Sequence, residues 1–433
     1  MTLPAGSQSM AMGGMGLRAQ GMDGRKKSTG AGNWLGLSGN AEPQWAIDGT
    51  VDGQGNLFFA GHNSSTSALQ IGRYAPTGER NWSAQVSGTD PAGGFTSGNI
   101  GSAAIATDAA GNAYVVSNNG SGVETLKISL GGQLLWGRTY TAGTYAIGRA
   151  VAVGASGSVY VLARTDGGGY GGSTVLVVKY SPAGTFQWSR NVDLQSGYGL
   201  ALDASENVYV LASGSAALIK LNSAGVLQSA TQTDFIGTVP TLSRMTCAAN
   251  GQAYAVGDYG GTGQGAALWA FDASGAVRWA RGLAPTGGWW NDVLLSGQSV
   301  YCIGVTSLAG AGSNDILLAE YDISGVLKWQ RTIGGAGNDY GFAIAEADAN
   351  TLAIYGSTSL GAGSGDIFIG RVPKSGPPAG KIGPYTVTAS SLTAASLSST
   401  FIGISPATQT LGSDAASSLT PTSIVLTTSI YPF

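Results

Sequence analysis

TDAAGNAYVV (Thr107–Val116) and VVKYSPAGTFQW (Val177–Trp188) are two halves of one phrase that recurs along most of the chain. The first half is a turn followed by a strand. The second is a strand, a tight turn and a strand ending in tryptophan. Its core, Gly-x-x-x-Trp, stands at Gly78–Trp82, Gly132–Trp136, Gly184–Trp188, Gly275–Trp279 and Gly325–Trp329. Gly225–Ser229 keeps the phrase without the tryptophan, and TGAGNW (Thr29–Trp34) matches TGERNW (Thr77–Trp82) near the start. From Trp34 the anchors fall at intervals of 48, 54, 52, 41, 50 and 50 residues. A sustained period of about 40–50 residues, with four short strands in each, is the pattern of a β-propeller.

The first halves number seven, from DGQGNLFFAG (Asp52–Gly61) to DANTLAIYG (Asp348–Gly356). After the last of them comes a third strand, DIFIGRV (Asp366–Val372), but Gly380 stands where a closing tryptophan is expected. The chain is thus one strand short at this point and has an orphan strand at Trp34. The fold expected is all-β: a seven-bladed propeller over residues 29–376, closed by an N-terminal strand that completes the last blade. Closure removes the exposed edges of an open array.

Composition agrees with this. The chain has 433 residues, 71 of them glycine, and only 10% charged, as befits many strands joined by tight turns. A net charge of −3 argues against nucleic acid or an anionic membrane surface as partner. No run of 18 apolar residues exists to cross a membrane. The opening MTLPAGSQSMAMGGMGLRAQ lacks the basic and apolar regions of a signal peptide, so export by the general route is not expected. Cys247 and Cys302 fall in or beside strands and read as small buried apolar residues; spacing alone leaves a disulfide open.

Two terminal segments flank the ring. Residues 1–28 are a Met-, Gly- and Ser-rich arm, expected to be flexible unless ordered against a neighbour. Residues 377–433 form a Ser/Thr-rich extension in which hydroxyl and apolar residues alternate with a period of two, as in YTVTASSLT and TSIVLTTSIY, and SSLT occurs at both Ser390–Thr393 and Ser417–Thr420. Such strands need partners. With the ring's own edges taken as closed, the expected partners are other subunits or copies of the same chain.

The two ends of the ring differ. The A–B turns (Asp-x-x-Gly-Asn) and C–D turns (Ser/Pro-x-Gly) are short and uniform, and the tryptophans are expected to pack between blades. The B–C and D–A connections vary, and variable loops on a rigid scaffold are where binding is expected. Trp289 and Trp290 enter strand A of blade six. Tyr170 and Tyr259 lie in glycine-rich B–C loops beside Asp166 and Asp258. Aromatic faces with nearby carboxylates suit saccharides, so these six residues are the candidate ligand-binding rim, with inter-loop packing as the structural alternative. No catalytic residue, metal or cofactor is expected. The sole histidine, His62, reads as a solvated loop residue, the cysteines and histidine cannot make a zinc site, and the aspartates of SNDI (Ser313–Ile316) and SGDI (Ser364–Ile367) read as turn formers rather than Ca²⁺ ligands.

KWQRTIGGAGNDYGFAIAEADANTLAIYGSTS (Lys328–Ser359) closely resembles the bacterial β-propeller repeats called SBBP, matching at Trp329, Gly334, Gly335, Gly337, Asp339, Gly341, Ala343, Ile344, Ala345 and Asp348. The resemblance implies a propeller and no particular activity. LPAGSQSM (Leu3–Met10) is similar to openings of tailed-bacteriophage virion proteins, and the Ser/Thr-Leu tail looks like the strand-rich ends of phage tail proteins. The function expected is therefore a non-enzymatic structural virion protein, on the tail or another exterior part. Its propeller would be an interaction or host-surface platform attached through residues 1–28 and 377–433, with host glycan as an expected ligand. A bacterial cell-surface or exported adhesion or carbohydrate-binding propeller is the alternative, and a propeller hydrolase or lyase ranks third.

Overall fold

Strands within each repeat hydrogen-bond to their sequence neighbours and form twisted antiparallel sheets. The computed structural model describes residues 33–38, 44–63, 68–86, 103–118, 122–142, 146–165, 174–192, 197–212, 217–232, 241–259, 265–284, 287–360, 365–382, 384–390, 392–396 and 428–430. Six sheets take their strands A to D in chain order: blades 1 (44–86), 2 (104–140), 3 (146–192), 4 (197–232), 5 (241–284) and 6 (288–334). Blade 7 takes strands A to C from 339–373 and its outer strand from Trp34–Ser38. The register runs from Trp34 opposite Arg371 to Ser38 opposite Ile367, so the N-terminal strand closes the ring as expected. The protein is a seven-bladed β-propeller, and no helix occurs among the described residues.

Strands B and C are buried on both faces, as in Ala113–Asn118, because every blade is packed between two others. This is why they read as continuous apolar runs rather than alternating ones. The turns hold by their own chemistry. In blade 1, Asp52 Oδ1 accepts from the N–H groups of Gln54 and Asn56 (2.9 Å each), and Gly55 sits at φ 79°.

Tryptophan joins six of the seven blades to the next. Trp82 Nε1 donates to Leu130 O (2.9 Å), and Trp34, Trp136, Trp188, Trp279 and Trp329 donate in the same way to Pro76, Pro182, Ser223, Ile323 and Lys374 (2.9–3.2 Å). Each acceptor lies two residues before the C–D glycine of the following blade, and the indole rests on that glycine. A Cβ added at Gly132, Gly184, Gly225, Gly325 or Gly376 would come within 2.8–3.1 Å of indole carbon. The glycines of Gly-x-x-x-Trp thus serve two ends, the positive φ of the turn and room for the neighbour's ring. Where Ser229 replaces tryptophan, the Thr231 hydroxyl fills the space at Gly275 instead.

The C-terminal extension corrects one expectation. Tyr385–Ala389 pairs antiparallel with the outer strand of blade 6, extended by Gly380–Ile382. Thr393–Ser396 pairs with the outer strand of blade 5, and Thr428–Ile430 with that of blade 1. These three stretches pair with outer strands of the same chain. Circular closure joins blade 7 to blade 1 but leaves the outer strand of every blade with an edge, and the chain's own tail adds to those edges. Leu392 enters the core between blades 5 and 6, and Gln330 Nε2 donates to the carbonyls of Ser390 and Leu392. The arm 1–28 lies outside the described residues. Cys247 and Cys302 are both free thiols, Cys302 fully buried.

Candidate functional site

Strand A lines the middle of the ring, and a one-residue bulge shapes it. The register slips between Ala46 and Asp48, Gly148 and Ala150, Gly197 and Gly199, Leu242 and Arg244, Trp290 and Asp292, and Gly341 and Ala343. A bulge re-aims the side chains beside it. In three blades the residue after the bulge is charged: Asp48, Arg244 and Asp292. Arg244 Nη1 meets Asp48 Oδ2 at 3.1 Å although blades 5 and 1 are not neighbours, so the ion pair spans the middle of the ring. Asp48 Oδ2 also accepts from Ile105 N–H (2.9 Å), and Asp292 Oδ2 accepts from Ile344 N–H (2.9 Å). Burial, with the Asp48 carboxylate adding to it against the pull of Arg244, pushes the Asp292 carboxyl up to about 7. The guanidinium of Arg149 lies 5.3 Å from the Tyr198 ring centroid.

At the variable-loop end, strand A of blades 6, 7 and 1 begins with an aromatic at the same offset. GWWND (Gly288–Asp292), DYGFA (Asp339–Ala343) and QWAID (Gln44–Asp48) align on their bulges, which places Trp289, Tyr340 and Trp45 in equivalent positions. The three blades are consecutive across the closure, and all three rings are half-buried. Trp45 stacks on His62 (5.8 Å, 22°), and Tyr340 stacks on Phe342 (6.0 Å, 11°). Polar groups stand beside them: Asn314 Nδ2 donates to Asn338 Oδ1 (2.9 Å) and reaches the Tyr340 hydroxyl (3.4 Å).

The residues singled out from sequence separate into groups. Trp289 joins this rim. Trp290, its neighbour, points the other way and is wholly buried in the core between blades 5 and 6. Asp258 is buried at the end of strand B in blade 5. Tyr259 folds over Gly265 and donates from its hydroxyl to Leu283 O (3.5 Å), within its own blade. Asp166 and Tyr170 lie outside the described residues. His62 is a correction: it ends strand B of blade 1, buried under Trp45, rather than sitting in solvent. Asp315 of SNDI accepts from the N–H groups of Ala311 and Gly312 (3.2 and 3.1 Å), as a turn former does. Among the described residues no group of three or more His, Cys, Asp or Glu is placed to hold a metal ion. Trp45 and Tyr340 were missed. Their signal was available, because aligning the start of each strand A, rather than the turns, puts all three aromatics in one column.

No protein-family model matches the chain, and no curated protein is significantly similar to it. The SBBP resemblance therefore stands at the level of the fold, a propeller built of repeats. Solved structures share that fold. A streptogramin B lyase superposes with a TM-score of 0.52 at 9% identity, covering 78% of this chain and 97% of that one. A catalytically inactive virginiamycin B lyase variant from Staphylococcus aureus, solved with quinupristin, superposes with a TM-score of 0.50 at 11% identity, covering 79% and 100%. These likenesses correct the expectation of a non-enzyme. Two proteins of this architecture carry the name of lyases, so a propeller fold is compatible with either catalysis or binding.

Proposed function

We propose that the protein is a binding propeller of a tailed-bacteriophage virion, presenting its variable-loop end to a host-surface glycan. The observation that carries the binding reading is the set Trp45, Trp289 and Tyr340, three half-buried aromatic faces at equivalent positions of adjacent blades, with the Asn314 and Asn338 amides beside Tyr340. Aromatic faces offer apolar contact to sugar C–H groups while amides take their hydroxyls. The virion assignment is supported by the opening LPAGSQSM and is independent of the binding site. Attachment to other virion subunits falls to residues 1–28 in this reading, since the described strands of 377–433 pair within the chain. Peptide mass spectrometry of purified phage particles encoding this chain tests the virion assignment, and retention on bacterial surface polysaccharide tests the platform.

A second reading follows from the neighbours. Two lyases share the fold, and quinupristin is the compound present with one of them. Consumption of quinupristin by the purified protein, followed by mass spectrometry, would favour catalysis at this end of the ring over simple binding.

A further inference from the structure

The first tail strand reaches the base of the rim. Tyr385–Ala389 runs beside the outer strand of blade 6, and Thr386 stands opposite Gly334, where that strand ends at the variable-loop end of the ring. Side chains alternate along a strand, so Tyr385 and Val387 turn inward together. Tyr385 enters the core between blades 6 and 7, where it is 1% exposed and stands edge-on to the Phe368 ring of blade 7 (5.2 Å, 78°). Its hydroxyl lies among Asp339, Thr358 and Asp366. Burial, with the Asp339 and Asp366 carboxylates adding to it, holds the hydroxyl proton well beyond the ordinary tyrosine range, so the group stays a neutral donor. Thr358 stands between the two aspartates, opposite Asp339 on one side and Asp366 on the other. The Thr358 hydroxyl accepts from Leu360 N–H (3.2 Å), and its hydrogen bonding works against the upward shifts of both Tyr385 and Asp339.

We propose that Tyr385 is a positioning residue for the aromatic rim, so that the seating of the tail strand on blade 6 fixes the binding face; this rests on the reading of the rim as a glycan site. Asp339 is the link. It is wholly buried and immediately precedes Tyr340. Its Oδ2 accepts from Gly335 N–H (2.8 Å), and its own N–H donates to Asn314 O (2.8 Å). Asn314 is the residue whose amide meets Asn338 and the Tyr340 hydroxyl. Asn338 is held in turn by Ser359: Asn338 N–H donates to Ser359 Oγ (2.8 Å), and Ser359 N–H donates to Asn338 O (3.0 Å). A buried carboxyl is costly unless polar groups surround it, and the Thr358 and Tyr385 hydroxyls lie on its core side. The contacts therefore run without a break from the tail through Tyr385, Thr358 and Asp339 to Asn314, Asn338 and Tyr340. Loss of the Tyr385 hydroxyl lets Asp339 turn, and the amide pair and the Tyr340 ring shift with it.

Tyr385→Phe in the full-length chain tests this, because it removes the hydroxyl and keeps the ring. Two readouts are followed: amide hydrogen exchange over Asp339–Ala343, and retention on lipopolysaccharide, teichoic acid and peptidoglycan fragments. Tyr385→Phe should speed that exchange roughly 5-fold and weaken retention by a similar factor, as the loss of one hydrogen bond does. Thr358→Val, which cuts the same link from blade 7, should do likewise, and the double variant should be no worse than either single one. Tyr321→Phe, at a wholly buried tyrosine of blade 6 in the core shared with blade 5, should change neither readout. Unchanged exchange in Tyr385→Phe, or additive losses in the double variant, overturns the proposal whether or not the parent binds a glycan. Faster exchange with full retention overturns it as well. If no glycan retains the parent while Tyr385→Phe speeds exchange, the glycan reading falls and the link from tail to rim stands.

Discussion

The Glu206 carboxylate of blade 4 accepts a hydrogen bond from the Tyr160 hydroxyl of blade 3 (3.0 Å), in the place where other blades use an aspartate of their own. In blades 2 and 4 the equivalent tyrosine bonds the first residue of its own A–B turn, Tyr114 to Asp108 and Tyr209 to Asp203. Blade 3 has Gly154 at that position. A Cβ there would come within 2.4 Å of Glu206, so the glycine makes room for the visiting side chain. Glu206 itself is at φ 56°, where other turns have glycine, a conformation costing about 1–2 kcal/mol. Its bonds to Ser156 N–H (2.6 Å) and Tyr160 offset that strain.

Glu206→Gly should therefore destabilise by about 1 kcal/mol, the loss of charge-assisted hydrogen bonds exceeding the relief of strain. The double variant Gly154→Asp/Glu206→Gly should recover much of the loss by restoring the within-blade pattern. Melting temperatures of the three variants check it; additive losses in the pair would refute the exchange.

The indole–glycine seam predicts a gain as well as losses. Trp188→Ala should cost roughly 3–5 kcal/mol, as removal of a large packed aromatic does. Conversely, Ser229→Trp with Thr231→Ser should let an indole reach Ala273 O and raise stability by about 1 kcal/mol. Denaturant midpoints at equal m-value distinguish these outcomes.

Two buried carboxyls set the pH dependence. Burial pushes Glu124 up to about 7, and Asp292 sits at about 7 for the reasons given above. Both bind a proton more tightly folded than unfolded. Their stabilising contribution is thus complete below about pH 4, falls as pH rises, and is gone above about pH 7. Glu124→Gln should flatten that decline by up to about 3 kcal/mol between pH 5 and 8. Unfolding free energies at the two pH values are the check, and an unchanged slope would show that Glu124 does not contribute.

Ring closure through Trp34–Ser38 predicts that Leu35→Asp/Leu37→Asp, which charges the half-buried face of that strand, frees the edge of Asp366–Pro373 and promotes self-association. Sedimentation velocity should show concentration-dependent oligomers absent from the parent; a stable monomer would rule out that strand as the clasp.

The ring was legible because Trp and Gly recur for a reason that repeats, one indole on one turn at six of the seven seams. The rim was legible only in part. Trp289 and Trp290 look alike in sequence, yet alternation along the strand sends one to the mouth and the other to the core, and only the bulge reveals which. His62 sits among Ser and Asn, which made it read as solvated, while its burial comes from Trp45 across the strand pair. The tail was misjudged because closing a propeller was equated with covering all its edges. Closure joins the ends of the ring, whereas the outer strand of each blade remains an edge that the chain's own extension can use.

The binding role of the rim rests on Trp45, Trp289 and Tyr340 acting as one face, and a glycan array carrying bacterial lipopolysaccharide, teichoic acid and peptidoglycan fragments tests this most directly. The full-length protein should be retained by at least one of these classes. Trp289→Ala/Tyr340→Ala should weaken that retention at least 10-fold while leaving the melting temperature within a few degrees of the parent. Equal retention by the parent and the double variant, or no retention of the folded parent by any of the three classes, would contradict the account.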